Sequence, residues 1–418
     1  MHKPTKALFA VVATLLIGGC SDSTTPVASP SDAADGITSD VAADTAVASD
    51  ATSDAAPDAT PDVPSSPGPF VAPAVGVIET TFVTDAGLEL ELVIWYPAGT
   101  PPESLEPKQY FFILQGTAYE GAAPLAGNWP LILFSHGSQA IPQQSIDLCE
   151  AWARAGYVVA APSHPGNTLL DNSLPMGEVA QRRPLDLVAT RKEVERLDAD
   201  PAHPLYDRID ETLVATAGHS FGGMTTLISA GAAIDVVGAK AACDSGVNLR
   251  GACGLIQELD VDLYTIRPPE LDDVAAAIAL SPAFHVIFGA VGLAEITAPT
   301  FIAVGDKDTI TPSDTEALPI YADLPTSRAL ARFFDVGHYG FSNFCDVPNI
   351  EDISDGQIEC NADAFTPHRQ VMEITAELTI PFLDKHLKGI EGSDQHLVDE
   401  ATETTWPDLL EIRYELTD

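Results

Sequence analysis

Three segments of this chain combine residue types that can generate an oxygen nucleophile and relay its proton. In "TAGHSFGGM", Ser220 stands with Gly218 two places before it and Gly222 two places after. The preceding "TLVATAG" is apolar and rich in β-branched residues, as for a short buried strand, and "GGMTTLISAGAA" reads as a helix of small residues. A strand, a sharp turn at serine and a helix make a nucleophile elbow, with the hydroxyl pushed into a cleft. Side chains at the flanking glycines would collide with the neighbouring strand or helix. A serine hydroxyl needs a base to activate it, and the base needs a carboxylate to orient it. Asp308 in "AVGDKDTITP" and His338 in "DVGHYGF" follow apolar runs later in the chain. Their order, serine then acid then histidine, suits an elbow of this kind. Asp306 is a rival for the acid. The charge that develops on an attacked carbonyl needs two backbone N–H donors. Phe221, directly after the serine, supplies one, and Ser138, in the loop after "FSHG", most simply supplies the other. The remaining histidines read more plainly: His219 packs against neighbouring strands, His136 and His164 orient loops at strand ends, and His368 belongs to a closing helix.

The elements needed to position these residues are legible as alternating strands and helices. "VGVIETTFV" and "LELELVIWYP" alternate like an antiparallel opening pair. "PLILFSHG" and "YVVAAPSHPG" are continuous apolar runs, as for strands buried on both faces. Between them lies the helix of "QSIDLCEAWARAG", ended by Gly156. "PLDLVATRKEVERL" predicts an amphipathic helix with Pro184 in its first turn. After the elbow, "AAAIALSPA", "PTFIAVGDKD" and "ARFFDVGH" supply three more strands. "HRQVMEITAELTIPFLDKHLKG" closes with a long helix that puts Ile374, Leu378 and Phe382 on one stripe. The succession predicts an α/β fold, a mostly parallel central sheet flanked by helices. "SHGSQ", "SHPGNT", "GHSFGG", "GDKDTITP" and "VGHYGF" then meet at the carboxyl edge of the strands, where such sheets bind ligands. Residues 232–272 form a connection long enough to predict a lid over that edge.

From about Val75 to Gly389 the chain resembles an α/β-hydrolase of the group that holds predicted dienelactone hydrolases and platelet-activating-factor acetylhydrolases. "FSHG", "SHPGNT", "RRPLD", "GHSFGG" and "FLDKHLKG" carry the resemblance, in that group's order. It implies Ser220 as nucleophile, Asp308 as acid and His338 as base of a serine hydrolase that cleaves carboxylic esters through an acyl-enzyme. It also implies a spacing of four from the acid to a proline, which Asp308 and Pro312 satisfy. True dienelactone hydrolases use a cysteine where this chain has Ser220, so that label does not fix the substrate. The expected partner is a small-molecule or lipid-like ester, with no metal or organic cofactor. The alternatives are a polyester or phospholipid acyl-ester hydrolase with the same machinery, and a catalytically silent binding protein on the same scaffold.

Composition sets where this domain works and what it avoids. The 418 residues carry 20 Lys and Arg against 61 Asp and Glu, a net charge of −41. That acidity argues against nucleic-acid binding, which needs a basic face, and against attraction to anionic lipid headgroups. Lys3 and Lys6 precede an apolar run from Ala7 to Gly19, shorter than the roughly 20 residues that cross a bilayer and fitting a secretory signal over residues 1–19. "LIGGC" resembles a bacterial lipobox, which implies lipidation at Cys20 and a cell-envelope location; an ordinary signal peptide cut elsewhere is the alternative. Ser21 after that cysteine favours the outer membrane by the same resemblance. Residues 20–72 are dominated by Ala, Asp, Ser, Thr and Pro with almost no aromatics or long aliphatics, unable to bury enough apolar surface to offset their ordering entropy, and predict a disordered tether. The catalytic domain then spans residues 73–418. Cys149 shares a helical face with Ile146 and Trp152 and reads as a buried free thiol. Cys243 and Cys253 flank one loop, Cys345 and Cys360 another, and two local disulfides follow in an oxidising compartment; without C-x-x-C spacing, zinc is the weaker reading. Expressed in a Gram-negative host, the protein should fractionate with membranes and incorporate labelled palmitate, and Cys20→Ser should abolish both.

Overall fold

A computed structural model describes residues 70–111, 113–246, 252–259, 271, 273–353, 358–361, 363–398 and 405–417. The signal segment, Cys20 and nearly all of the tether lie outside the described residues. Ordered packing reaches back to Phe70, whose ring lies 4.8 Å from that of Trp129. Among the described residues no helix is long and apolar enough to cross a membrane.

The strands are β1 (Ala74–Val83), β2 (Glu89–Ala98), β3 (Gln109–Tyr110), β4 (Leu114–Gln115), β5 (Tyr119–Glu120), β6 (Trp129–Ser135), β7 (Val158–Pro162), β8 (Ile209–His219), β9 (Val274–Leu280), β10 (Thr300–Gly305), β11 (Arg328–Phe333) and β12 (Leu410–Glu415). Ten of them form one sheet in the order β12-β11-β10-β9-β8-β6-β7-β2-β1-β5, while β3 and β4 pair separately. From β7 through β6, β8, β9 and β10 to β11 every neighbouring pair is parallel. β1 and β2 form the expected antiparallel opening pair, and β2 joins β7 antiparallel. The molecule is thus a mixed α/β protein with a large, mostly parallel central sheet flanked by helices.

Burial on both faces explains why the central strands read as unbroken apolar runs. In β6, Leu131 and Leu133 enter the core on one face, and Ile132 and Phe134 the core on the other. β10 divides the same way, with Ile302 and Val304 opposite Phe301 and Ala303. This is the two-residue period of a strand. Helices Met176–Asp198, Phe221–Ser229, His285–Leu293 and Ala317–Asp323 cover the first face. Helices Ile146–Arg154 and His368–His386 cover the second, joined by a hydrogen bond from Trp152 Nε1 to Thr379 Oγ1 of 2.9 Å. Ile374, Leu378 and Phe382 are buried on the stripe expected of them. Cys149 is a buried free thiol, and desolvation drives its pKa well upward.

Two expectations about elements are corrected. Pro184 does not open its helix but lies inside Met176–Asp198. An interior proline costs roughly 3 kcal/mol through its lost N–H and ring clash. The turns upstream offset this by burying Val179 and Ala180, tertiary contacts that the amphipathic pattern does not reveal. The chain also does not close with the helix His368–His386, because β12 returns antiparallel to β11 and covers the sheet edge. Within residues 232–272, helices Val236–Asp244 and Ala252–Glu258 are described and are tied by the Cys243–Cys253 disulfide. The second docks on helix Met176–Asp198, where the Gly177 N–H donates to a Glu258 carboxylate oxygen at 2.9 Å. Residues 247–251, 260–270 and 272 of the expected lid lie outside the described residues.

The elbow helix approaches the end of β6 closely enough that only glycine fits. A Cβ on Gly222 would overlap the Ser135 carbonyl, and one on Gly218 would meet the Gly222 and Ser135 backbones. These obstacles are backbone and cannot swing aside. Gly254, by contrast, sits in helix Ala252–Glu258 with open space where a Cβ would project. Gly222→Ala should therefore destabilise the fold by about 1–3 kcal/mol or more. Gly254→Ala should stabilise it by about 0.5–1 kcal/mol through helix propensity. Thermal unfolding of both variants against the parent checks the contrast.

Candidate active site

The corner between β8 and its helix stores strain at one residue. Ser220 has φ 57° and ψ −118°, a region that costs a non-glycine residue about 1–3 kcal/mol. Two backbone bonds hold it there: Ser220 N–H donates to Leu280 O at 2.8 Å on the adjacent β9, and Met224 N–H donates to Ser220 O at 3.2 Å as the helix begins. The residue is half-buried, and its Oγ has no hydrogen-bond partner among the described residues.

The acid and base meet beside it across three loops. Asp308 follows β10, and its Oδ1 accepts from the N–H groups of Ile310 at 2.9 Å and Thr311 at 2.7 Å. Its Oδ2 lies 2.8 Å from His338 Nδ1, with both side chains almost wholly buried. Burial alone would raise the carboxyl pKa, but His338 and the donors of Thr311 outweigh it and hold Asp308 below the usual carboxylate value. A carboxylate there fixes the proton on His338 Nδ1 and leaves Nε2 as an acceptor, free of any protein partner among the described residues. Thr311 Oγ1 stands 2.8 Å from Asp308 Oδ2, 3.1 Å from His338 Nδ1 and 3.1 Å from Ser281 O, pinning the pair to the end of β9. Asp306 does not touch His338; one of its carboxylate oxygens is buried without a partner. The structure pairs the histidine with Asp308. Among the described residues no hydrogen bond links Ser220 to His338; bonds of this kind commonly form or tighten only when substrate binds.

His219 does more than pack. Its Nε2 donates to the His338 carbonyl at 2.9 Å, its Nδ1 accepts from Gln144 Nε2, and Gln144 Oε1 in turn accepts the Gly137 N–H at 2.6 Å. A buried chain thus joins the loop after β6 to the residue beside the nucleophile and on to the base. Desolvation first, and the neighbouring His338 second, push the His219 pKa down to about 3, so its ring is neutral, as this chain requires. With Gly137 N–H occupied by Gln144, the Ser138 N–H stays free of a protein acceptor among the described residues. The Phe221 N–H is free as well, since the first residue of a helix has no intrahelical acceptor.

Beneath this layer the same residue types recur, out of reach. Ser135 Oγ lies 2.9 Å from His164 Nε2, and His164 Nδ1 lies 2.8 Å from Asp186 Oδ2. Ser135 is wholly buried, which suits structural support and not attack on a substrate. His164 and its neighbour His136, whose rings are 4.8 Å apart, act as loop-orienting groups. His368 starts its helix and bonds Asp346 at 3.0 Å. The Cys345–Cys360 disulfide is present, and it carries Glu359 to the base loop. Glu359 accepts the His338 N–H at 2.7 Å and also bonds Thr309 Oγ1 beside the acid, clamping the two loops together.

Gln144, Thr311 and Glu359 were not legible as site residues. Each bonds a residue distant in the chain, and although Thr311 lies within "GDKDTITP", nothing in that segment marks it as a link between Asp308, His338 and Ser281. No protein-family model matches the chain, and no curated protein resembles it closely enough to count as a relative. Asp308→Asn should cut turnover of an activated ester by about 10³–10⁴-fold, whereas Asp306→Asn should cost less than about tenfold; the reverse ranking in kcat would reassign the acid.

Proposed function

We propose that this chain is an α/β-hydrolase-type serine hydrolase that cleaves carboxylic esters. One observation carries the reading: a buried Asp308–His338 pair with an unengaged Nε2 stands at the same sheet edge as a strained, accessible serine at a strand-to-helix corner. The chain order serine, acid, histidine on a mostly parallel sheet adds support.

The chemistry follows from the donors and acceptors present. His338 Nε2 takes the Ser220 proton as Oγ attacks the ester carbonyl, and the imidazolium that forms is stabilised by Asp308. The negative charge on the former carbonyl oxygen is met by the N–H groups of Phe221 and Ser138, fixed donors that need no reorganisation. Collapse expels the alcohol, which receives the proton from His338 Nε2. Water deprotonated by the same nitrogen then releases the acid and restores Ser220. The two disulfides favour work in an oxidising compartment, in keeping with secretion and an anchor at Cys20.

A polymer- or lipid-directed ester specificity with the same machinery is one alternative. A catalytically silent scaffold is the remaining alternative. The folded protein should be labelled by a fluorophosphonate probe, with labelling and ester turnover lost in Ser220→Ala, turnover by several orders of magnitude. Absence of labelling in correctly folded parent protein would remove the hydrolase reading in favour of the silent scaffold.

A further inference from the structure

Arg183 is a fully buried cation for which neither the nucleophile nor its acid and base has a use. It projects from helix Met176–Asp198 into the layer under the loop that follows β6. Its Nη1 donates to the His136 carbonyl and, at 3.4 Å, to Ser135 Oγ. Its Nη2 donates to the Gly137 carbonyl at 2.9 Å and to Asn167 Oδ1 at 2.7 Å. The guanidinium carbon lies 4.7 Å from the centre of the Phe221 ring. Its Nε is buried without a partner. Asp186, the nearest compensating charge, spends its hydrogen bond on His164.

Burying a guanidinium among carbonyls is expensive, and apolar residues of similar volume would fill such a space at less cost. Desolvation pulls its pKa down to about 9, with only Asp186 opposing. The arrangement makes sense through the peptide it grips. In a trans peptide the carbonyl and the following N–H point in opposite directions. Holding the Gly137 carbonyl against Arg183 therefore aims the Ser138 N–H away from it, where no described protein group accepts it. A cation on the carbonyl oxygen also polarises the amide, strengthening that N–H as a donor. The same guanidinium stacks on Phe221, the residue whose backbone carries the other free N–H.

We propose that Arg183 is the positioning residue of the oxyanion site, setting the direction of the Ser138 N–H through the Gly137 carbonyl and seating Phe221 through its ring. The inference rests on the ester-hydrolase reading and assigns the cation a role in the transition state alone. Arg183→Lys keeps the charge but cannot span two carbonyls and Asn167 at once.

The test compares p-nitrophenyl acetate with its thionoester analogue, in which C=S replaces C=O. An oxyanion site built on N–H donors favours oxygen over sulfur, and the ratio of kcat/KM for the two esters does not depend on the fraction of enzyme folded. Removal of one such donor costs about 10²–10³ in kcat. Arg183→Lys should lower kcat for the oxygen ester about 10- to 100-fold with KM little changed, and should lower the oxygen-to-sulfur ratio about tenfold. Asn167→Ala, which keeps the guanidinium but removes one anchor, should lower the ratio about threefold and keeps the test decisive if the lysine variant does not fold. A ratio equal to the parent's in the folded variants would overturn the proposal while leaving the hydrolase reading intact. A parent protein that turns over neither ester and resists the fluorophosphonate probe would overturn both.

Discussion

The contact between Gly222 and the Ser135 carbonyl sets the geometry of everything around it. Because no side chain intervenes, helix Phe221–Ser229 starts hard against the end of β6. That proximity forces the chain through the strained backbone at Ser220, and it brings two free N–H groups, one on the helix and one on the loop after β6, to the same edge. The strain is tolerable because the flanking strand β8 is buried on both sides and bonded to β6 and β9 along most of its length. A corner of this kind holds only if the elements that meet there are themselves rigid.

Around that corner the protein builds a layer of buried polar groups, and its electrostatics run opposite to those of the surface. Outside, acidic residues dominate, and ion pairs such as Arg196 with Glu193 or Lys385 with Glu391 are exposed contacts of small energetic value. Inside, burial is the largest influence on every shifted group. It keeps His219, His164 and His136 neutral and raises the Asp186 pKa to about 7. At Asp308 burial is again the largest single influence, but His338 and the Thr311 donors together outweigh it and hold the carboxyl below the usual carboxylate value. Neutral imidazoles can donate on one nitrogen and accept on the other, so they serve as links in a chain. The path from Gly137 through Gln144 and His219 to His338 needs that property. Few of its members have slack, since a buried donor left unpaired costs about 1–3 kcal/mol.

The loops carrying Asp308 and His338 are held from outside this layer as well. Glu359 reaches both the His338 N–H and Thr309, and its neighbour Cys360 is bonded to Cys345. The covalent closure confines a stretch that has few large apolar side chains of its own. His338 is therefore positioned from three directions: by Asp308 on its ring, by His219 on its carbonyl and by Glu359 on its N–H.

Periodic and local features are readable from the chain alone. Strand alternation, the apolar runs of the central sheet, the elbow glycines, the buried face of Cys149 and the two short-range disulfides all follow from spacings of a few residues, where side-chain direction is fixed by local geometry. Ser220, Asp308 and His338 were visible because each ends an apolar run. What the sequence did not determine depends on chain segments far apart. Pro184 reads as a helix start until the burial of Val179 and Ala180 is known. β12 is a short, half-exposed run whose strand state comes from pairing with β11. The pairing of His338 with Asp308 over Asp306 turns on a carboxylate direction that two residues of spacing cannot convey. Gln144 and Glu359 carry no motif, while Thr311 and Arg183 lie inside "GDKDTITP" and "RRPLD", segments that do not say which distant loops and strands they bond. Their burial among distant backbone groups decides what they hold.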